Sequence, residues 1–511
     1  MNLSSLEDLG IPFEQYNSTS RKHQLECSID CVDTSNMGKR VRDDGNGSSR
    51  KRRSIPKPLN TAVAATNINR LQIVLGSYEH VLQGLLVTIR SLQKQVSGDG
   101  ESEVEHIRDP SCQFADLFLV NAHTASIRSL AVSPEYTTGD KTGKRILATG
   151  GSDERINLYS LSTTLPTYSP SKFPSPQTPE PVVDSRELGS LLHHSAPITA
   201  LHFPNKSKLI SASEDNTIAI SRTLDWTVLT SIKTPRRKAI GQASGDTSTA
   251  SDLISGTNDL AVHPSSKLMI SVGRGERCMR LWDLVTGRKA GALNFDKSIL
   301  RAAGEARYSS GEGRKITWNS DGTEFAVAFE RGIVVFGLDC QPRCRLVLPR
   351  PVKIHQVRYV REHMVGRRQS DAESVDLLAF STEDGRIYFA DPSDIVDELD
   401  HGVDPPPQSE SKEPKTIAEC RILASIGGTE DGVRSRIKDF VVLADGITVA
   451  GCSDGRVCVW HVVLAKKQPS SGDGLPADTR LLGHYDTELR ITCLAGFSMS
   501  DQSAAIDDNT E

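Results

Sequence analysis

Four aspartates occupy the same place in four similar stretches of the chain, each at a tight turn between apolar segments. They are Asp153, Asp215, Asp384 and Asp454. Repeated carboxylates could act as general acids and bases or hold a calcium ion. A structural role explains them better, because an Asp side chain at such a turn accepts hydrogen bonds from nearby backbone N–H groups. We therefore predict that all four fix turns.

Three histidines stand before comparable apolar segments, and imidazole is the commonest side-chain ligand of transition metals. They are His123, His194 and His484. Because each belongs to a different copy of a repeat, the three would lie too far apart to share one ion. The sequence therefore predicts no metal site and a structural role for these side chains as well.

Two tryptophans, Trp282 and Trp460, end the third segment of two copies, and Asp283 follows the first of them. We predict that both indoles pack between neighbouring units, with their N–H groups hydrogen-bonded in the network of aspartates and histidines. The sequence lacks the G-x-x-x-x-G-K-[ST] phosphate loop and the H-E-x-x-H zinc motif. No catalytic residue, cofactor or enzymatic activity is therefore predicted.

Basic residues cluster in or beside several predicted loops. The clusters are Arg236, Arg237 and Lys238; Arg274, Arg277 and Arg280; and Arg361, Arg367 and Arg368. If several of them share one face, they form an anion-attracting rim suited to the phosphates of rRNA or to an acidic peptide. If they are dispersed, they are ordinary solvated charges, and no aromatic platform for base stacking accompanies them.

The polar stretch 1–65 carries two further basic groups, separated by a spacer of about ten residues. The groups are Lys39 and Arg40, then Arg50, Lys51, Arg52 and Arg53. This spacing is typical of a bipartite nuclear-import signal, whose two ends bind separate acidic sites of importin. The alternative is a solvated charge run in a disordered tail. We predict import into the nucleus.

The residues above are positioned by a repeating unit of apolar segments and tight turns, with a period of about 40 to 45 residues. Six copies are legible, with cores at 126–161, 197–226, 258–287, 315–339, 354–391 and 437–462. A variable outer strand completes each copy as a four-stranded blade. Both ends of the chain supply a seventh blade, whose inner strand lies in 488–497 and whose other strands lie in 71–120. The predicted fold is all-β, a seven-bladed WD40 β-propeller closed by strands from both termini, which hides the sheet edges.

This organisation gives a disordered basic extension over 1–65, a propeller over 66–499 and a disordered acidic tail over 500–511. Three polar stretches at 163–184, 236–257 and 394–415 interrupt the repeats, and we predict that they form loops on the rim. The formal net charge of −5 excludes polyanion binding by the chain as a whole. The spacing of the cysteines and the lack of a long apolar run predict an intracellular protein with reduced thiols and no membrane segment.

Several stretches resemble one WD40 family in particular. They include IVLGSYEHVLQGLLV near the start, LAVHPSSKLMISVGRGERCMRLWDLVTGR in the third copy and ELRITCLAGF at the end. The family is that of the p21-activated-kinase-interacting-protein-like WD40 proteins, which includes a fungal ribosome-assembly member. In the family pattern, the turn Asp of a blade also bonds a His in the loop that leads into the blade.

The resemblance implies a non-enzymatic nucleolar scaffold in maturation of the large (60S) ribosomal subunit and its rRNA. Such a protein docks an assembly factor or a ribosomal protein on pre-60S particles. The alternative is a signalling adaptor that binds and negatively regulates a p21-activated kinase. The family often carries a Lys-rich C-terminal tail, whereas this sequence ends in SAAIDDNTE. RNA contacts attributed to such a tail therefore do not carry over.

Overall fold

A computed structural model describes 66–92, 111–134, 143–164, 186–235, 255–306, 309–361, 365, 376–396, 417–464 and 478–499. Their regular secondary structure is almost entirely β-strand, which confirms the all-β prediction. A short helix, α1 (Lys297–Ala302), precedes the fourth copy of the repeat. The Asp296 carboxylate starts this helix by accepting a hydrogen bond from the Ile299 N–H at 2.9 Å. In the described part of the chain, no helix has the length and apolar composition needed to cross a bilayer.

The strands follow one another through tight turns and loops. The first fifteen are β1 (Thr66–Ser77), β2 (Val81–Leu92), β3 (Ser111–Asn121), β4 (Ile127–Val132), β5 (Lys144–Gly151), β6 (Ile156–Ser162), β7 (Arg186–Leu191), β8 (Ile198–Asn205), β9 (Lys208–Ser213), β10 (Thr217–Arg222), β11 (Val228–Lys233), β12 (Thr257–Val262), β13 (Leu268–Gly273), β14 (Cys278–Asp283) and β15 (Arg288–Asn294). The others are β16 (Lys315–Trp318), β17 (Glu324–Ala328), β18 (Gly332–Gly337), β19 (Pro342–Val347), β20 (Ile354–Arg361), β21 (Asp376–Thr382), β22 (Arg386–Val396), β23 (Glu419–Gly427), β24 (Ile437–Val442), β25 (Ile447–Cys452), β26 (Arg456–Val463), β27 (Asp478–Asp486) and β28 (Ile491–Ser498).

Hydrogen bonding groups these strands into antiparallel four-stranded units. Sheets 1, 2 and 3 are β4–β7, β8–β11 and β12–β15, and sheet 6 is β24–β27. Sheets 4 (β16–β19) and 5 (β20–β23) are joined by a single parallel pair, Arg345 with Glu419, between their outer strands. Divided at this pair, the described strands form seven units.

Sheet 7 combines the two ends of the described chain, in the order β28, β1, β2, β3. The inner strand β28 therefore pairs with β1, with Leu71 opposite Ser498. Each unit contributes its first strand to a ring in which β4, β8, β12, β16, β20, β24 and β28 contact one another in turn. Because β28 contacts both β24 and β4, the described inner strands form a closed ring.

Apolar side chains fill the spaces between neighbouring sheets. Between sheets 5 and 6, Phe389 and Leu377 pack with Phe440 and Trp460, all of which are buried. Trp282 packs in the same way between sheets 2 and 3, against Ile210 and Ile218 among others. Alternation along each strand produces this packing, since every second side chain faces the adjacent sheet. The stack of sheets thus fixes the inner strands around a central channel.

The predicted rim loops lie mostly outside the described residues, and two of their bounds were wrong. Strand β22 extends to Val396, because Ile395 and Val396 pair with Cys420 and Glu419. The predicted loop from residue 394 therefore starts inside a strand. Thr257, the predicted end of another loop, is the first residue of β12. The predicted disordered segments 1–65 and 500–511 also lie outside the described residues.

Candidate docking face and central channel

One face of the ring is defined by a hydrogen bond that recurs in six sheets. In each, the turn between the second and third strands donates a backbone N–H to the carbonyl just before the inner strand. The pairs are Ser152–Ser126, Glu214–Pro197, Arg274–Gly256, Glu383–Lys353, Ser453–Arg436 and Tyr78–Arg490, at 2.8 to 3.0 Å. These turns and the loops that lead into the inner strands therefore lie on the same face, which we call the front face.

Sheet 2 carries a buried His–Asp network on the front face. His194 contacts Asp215 Oδ2 through Nδ1 at 3.0 Å and Ser211 Oγ through Nε2 at 2.8 Å. Asp215 also accepts from the Ser195 N–H at 3.1 Å and the Thr217 N–H at 2.7 Å. Burial raises the pKa of Asp215, but the hydrogen bonds from His194, Thr217 and Ser195 outweigh it and hold the pKa well below its ordinary value.

Sheet 1 repeats the arrangement with a different hydroxyl residue. His123 Nδ1 lies 2.9 Å from Asp153 Oδ1, and His123 Nε2 lies 2.8 Å from Thr149 Oγ1. The Thr124 N–H donates to Asp153 Oδ2 at 3.0 Å. Burial lowers the pKa of His123, although the Asp153 charge opposes this effect. Each carboxylate fixes its turn and joins it to the preceding loop, so neither is free for general acid–base catalysis.

The indole N–H groups of the two tryptophans donate to residues other than the predicted histidines and turn aspartates. In sheet 3, the Trp282 indole N–H donates to Ser271 Oγ at 2.8 Å. Asp283 instead stabilises the following turn, where it accepts from the Val285 N–H at 2.8 Å. In sheet 6, the Trp460 indole N–H donates to Asp431 Oδ2 at 2.9 Å. Asp431 lies in the loop that leads into this sheet and was not among the residues predicted from the sequence.

The two remaining turn aspartates have only local partners. Asp454 accepts from the Arg456 N–H at 3.2 Å. Asp384 accepts from the Thr382 hydroxyl and, at 3.3 Å, from the Tyr388 hydroxyl. Neither contacts a histidine in the described residues. All four aspartates therefore bond within their turns, whereas within the described part of the chain only Asp153 and Asp215 also bond a histidine.

His484 does not occupy the position that the sequence predicted for it. It lies in the outer strand β27, opposite Cys458, and is exposed. His123 and His194 each precede their inner strand by four residues, and the residue at that position before β28 is Thr487. The Gly-His pair therefore stands three residues too early to reach the front face. The Thr487 hydroxyl instead donates to the Gly455 carbonyl at 2.8 Å.

Residues 451–455 read GCSDG, which matches the G-x-S-x-G pattern of hydrolase nucleophile elbows. The surrounding structure differs from such an elbow, because Ser453 lies in a tight turn between the antiparallel strands β25 and β26. No helix follows the serine to expose its hydroxyl above a parallel sheet. Within the described residues, no three His, Cys, Asp or Glu side chains form a group that could hold a metal ion.

The arginines predicted to form an anion-binding rim are occupied by contacts within the protein. Arg274 forms a salt bridge with Glu214 at 3.0 Å. Arg277 donates to the carbonyls of Ser309 and Ser310 at 3.0 and 2.9 Å. Arg280 forms a salt bridge with Glu276, and Arg361 is the last residue of β20. The remaining rim residues lie outside the described residues, namely Arg236, Arg237, Lys238, Arg367 and Arg368. The same holds for the import pattern, Lys39, Arg40, Arg50, Lys51, Arg52 and Arg53. The rim therefore stays a prediction.

A different set of side chains converges at the front mouth of the channel. Six inner strands carry a β-bulge at their second residue, where the pairing register shifts by one. The bulged residues are Arg128, Thr199, Asn258, His355, Lys438 and Thr492. We call them the bulge ring. A bulge redirects the extra side chain away from the regular pleat, and most of the ring lines a cavity of about 470 Å³ along the channel.

Below the bulge ring, the third residue of several inner strands ties one sheet to the next. Asp259 accepts from the Ile316 N–H at 3.1 Å, and Asp439 accepts from the Leu494 N–H at 3.0 Å. Ser129 accepts in the same way from the Leu201 N–H at 3.1 Å. These bonds explain why carboxylates are tolerated inside the channel. Because these side chains are bonded between sheets, the bulge ring above them is the part of the channel that lies at its front mouth.

Comparisons with known proteins agree with this architecture. A family model described as WD domain, G-beta repeat, matches residues 185–220, from β7 into β10. A Xenopus laevis protein named p21-activated protein kinase-interacting protein 1-like is 22% identical over 430 residues, 84% of this chain and 82% of that protein. Its Gallus gallus namesake is 25% identical over 395 residues, 77% of this chain and 75% of that protein. Protein MAK11 of Saccharomyces cerevisiae is 24% identical over 449 residues, 83% of each chain. The chain therefore has the fold of a WD40 β-propeller and is similar over most of its length to proteins named p21-activated protein kinase-interacting protein 1-like and to MAK11.

Proposed function

We propose that this chain is a non-enzymatic docking scaffold in assembly of the large (60S) ribosomal subunit, and that it acts in the nucleus and nucleolus. The observation that carries the proposal is the extent of its similarity to this WD40 group. The aligned region spans 83% of this chain and of MAK11. The family resemblance of the sequence implies the ribosomal role and the nucleolar location.

The arrangement of the site supports binding over catalysis. The buried His–Asp pairs of sheets 1 and 2 have all their hydrogen bonds inside the protein, so they are unsuited to proton transfer with a substrate. A rigid ring of sheets presents loops and bulged side chains on one face, which suits the docking of another protein. Assembly factors and ribosomal proteins of pre-60S particles are the proposed partners, and importin is the proposed partner of the segment 39–53.

A signalling adaptor that binds and restrains a kinase is the second candidate. It is favoured by the name of the Xenopus and Gallus relatives, which describes interaction with p21-activated protein kinase. The two candidates differ in location and in partner, since a kinase adaptor has no need of nuclear import. They therefore separate in a single fractionation experiment.

The test is affinity purification of the tagged full chain from nuclear and cytoplasmic extracts, with mass spectrometry and a sucrose-gradient blot. We expect recovery of large-subunit precursors and sedimentation with pre-60S particles. Neutralising Arg50, Lys51, Arg52 and Arg53 to Gln should shift the chain to the cytoplasm without changing its melting temperature. Sedimentation as a free protein, with a kinase as its main partner, would reject the ribosomal role and favour the adaptor.

A further inference from the structure

Basic side chains crowd the front mouth of the channel where sheets 4 to 7 meet. They come from the bulge ring, from the residues just before the inner strands, and from the position before β16. The members are Arg314, Lys353, His355, Arg436, Lys438 and Arg490, which we call the cationic arc. On sheets 2 and 3, the equivalent positions carry the neutral residues Pro197, Thr199, Gly256 and Asn258. On sheet 1, Arg128 of the bulge ring is also basic, but it forms a salt bridge with Glu214 at 2.8 Å. Positive charge is therefore concentrated in the sector of sheets 4 to 7.

Acidic side chains compensate only part of this charge. Glu330 forms salt bridges with Arg314 at 3.6 Å and with Lys353 at 3.1 Å. Arg490 lies over the ring of Tyr78, 5.2 Å from its centroid. Within the described residues, no carboxylate lies within the 4.0 Å of a salt bridge from the Arg436 or Lys438 side chains. Glu383 acts on Lys438 from beyond this distance, so Arg436 and Lys438, at the centre of the arc, have no close carboxylate partner among the described residues.

The histidine of the cationic arc responds to this excess of charge. Burial lowers the pKa of His355 to about 4, and the charges of Lys438, Arg436, Arg314 and Lys353 act in the same direction. The pKa of Lys438 is also lowered, by burial and then by Arg436 and Arg490. His355 Nε2 is buried without a hydrogen-bond partner. Like charges that depress one another's protonation form an arrangement that an anion would stabilise.

The fold itself does not need basic residues at these positions. At the bulge of β28, the Thr492 hydroxyl lies 2.9 Å from the Gly76 carbonyl oxygen and 2.6 Å from that of Ile127, and donates its one proton between them. At the bulge of β12, the Asn258 amide donates to the Gly313 carbonyl at 2.9 Å. Neutral side chains therefore serve the bulge by bonding to neighbouring strands. Among the described residues, neither His355 nor Lys438 makes such a bond, and the part-buried Lys438 ammonium group is left available to a ligand.

We propose that the cationic arc, centred on Arg436 and Lys438, binds an acidic peptide segment of a partner protein through its Asp or Glu carboxylates. A cavity of about 470 Å³ inside a closed ring of strands admits a side chain but not a nucleic-acid duplex. Tyr78, 57% exposed beside Arg490, offers one apolar contact at the edge, whereas the described residues place no aromatic cluster there for stacking bases. A peptide that carries carboxylates and an apolar residue fits these features better than RNA does.

The test measures fluorescence anisotropy of a labelled peptide, built from Asp, Glu and Ser with one Leu, on the full chain. We expect binding that weakens as salt increases, because exposed charges are screened. The double variant Arg436→Glu/Lys438→Glu should weaken binding at least about tenfold, since it reverses the charge at the centre of the site. Arg288→Glu/Lys289→Glu makes the same charge change beside the β14–β15 turn, at the opposite ends of the strands, and should leave binding unchanged.

Three results would overturn the inference: no peptide binding by the unaltered chain, equal loss in both double variants, or displacement of the peptide by an RNA hairpin that binds more tightly. If the charge reversal prevents folding, Arg436→Gln/Lys438→Gln supplies the comparison, and thermal melting verifies its fold. The inference rests on the proposed docking role, but peptide binding is measured without ribosomal particles. Peptide binding without co-sedimentation would therefore reject the ribosomal proposal alone, and co-sedimentation without peptide binding would reject this site alone.

Discussion

His194 and His355 both lie on the front face, yet their surroundings are opposite. The His194 side chain is 1% exposed, and both of its ring nitrogens have partners, Asp215 and Ser211, inside sheet 2. His355 is half-buried, faces four cations and leaves Nε2 without a partner. The first arrangement is complete within its own sheet, so it stabilises the fold. The second is unfavourable in the isolated chain, so it marks a surface that a partner would complete.

The largest effect should follow removal of the carboxylate at the centre of the complete network. Asp215→Ala leaves the donors of His194, Ser195 and Thr217 without their acceptor, and we expect it to lower the free energy of unfolding by about 3 kcal/mol. Urea unfolding at neutral pH measures this loss. Asp225→Ala is the matched control, because Asp225 accepts from the N–H and hydroxyl of Thr227 in an exposed turn of the same sheet. Equal losses in the two variants would show that the histidine bond adds nothing.

Acidification should lower the free energy of unfolding through the protonation of His355. Arg314, Lys353, Arg436 and Lys438 surround His355, and its pKa of about 4 lies below the ordinary 6.5. The unfolded chain therefore binds the proton first, and stability falls as the pH decreases from 6.5 towards 4. His355→Gln should reduce this loss by an amount on the order of 1 kcal/mol, since water in the channel screens the charges.

The measurement is the midpoint of urea unfolding at several pH values across that window. The Asp215 pKa is also lowered, but from 3.8, so its contribution is lost only below that value. Asp215→Asn is the control, and it should change the slope only in the more acidic range. An unchanged slope in His355→Gln would contradict the environment described for this histidine.

A smaller effect, and one of opposite sign, is expected where a charge is removed from the cationic arc. Lys438→Gln relieves repulsion from Arg436 and Arg490, so it should be neutral or stabilise the fold by up to about 1 kcal/mol. The pKa of His355 should rise in this variant. Thermal melting and a pH titration of stability measure the two consequences. A clear loss of stability would show that Lys438 serves the fold and would break the comparison with sheet 2.

The repeat and its closing sheet were predictable because alternating apolar residues and tight turns appear directly in the sequence. Strand β28 could be matched with β1 for the same reason. The bulge ring could not be predicted, because a bulge depends on the register between two paired strands. The sequence does not indicate which of the neighbours Lys438 and Asp439 occupies the bulge. In the structure Lys438 is the bulged residue, and Asp439 accepts a hydrogen bond from Leu494 in the next sheet.

Other site residues differ in how well the sequence signals them. Thr149 and Ser211 each lie four residues before the turn aspartate of their sheet, so this repeated spacing could have identified the hydroxyls that contact His123 and His194. Asp431 had no such signal. It lies in the short 3-10 helix Thr429–Asp431, which the other described repeats do not share, and it reaches Trp460 only through the tertiary packing of this loop on sheet 6.

The smallest expected effect tests the histidine that the sequence misplaced. His484 is exposed on the outer strand β27, so His484→Ala should change the free energy of unfolding by less than about 0.5 kcal/mol. His123→Ala is the matched substitution in a complete network, and it should cost about 2 kcal/mol because Asp153 and Thr149 lose their shared partner. Urea unfolding of the two variants under one condition makes the comparison. If His484→Ala and His123→Ala lowered the free energy of unfolding equally, a histidine three residues out of register would still bond at the front face. The four-residue spacing before the inner strand would then not be required for that bond.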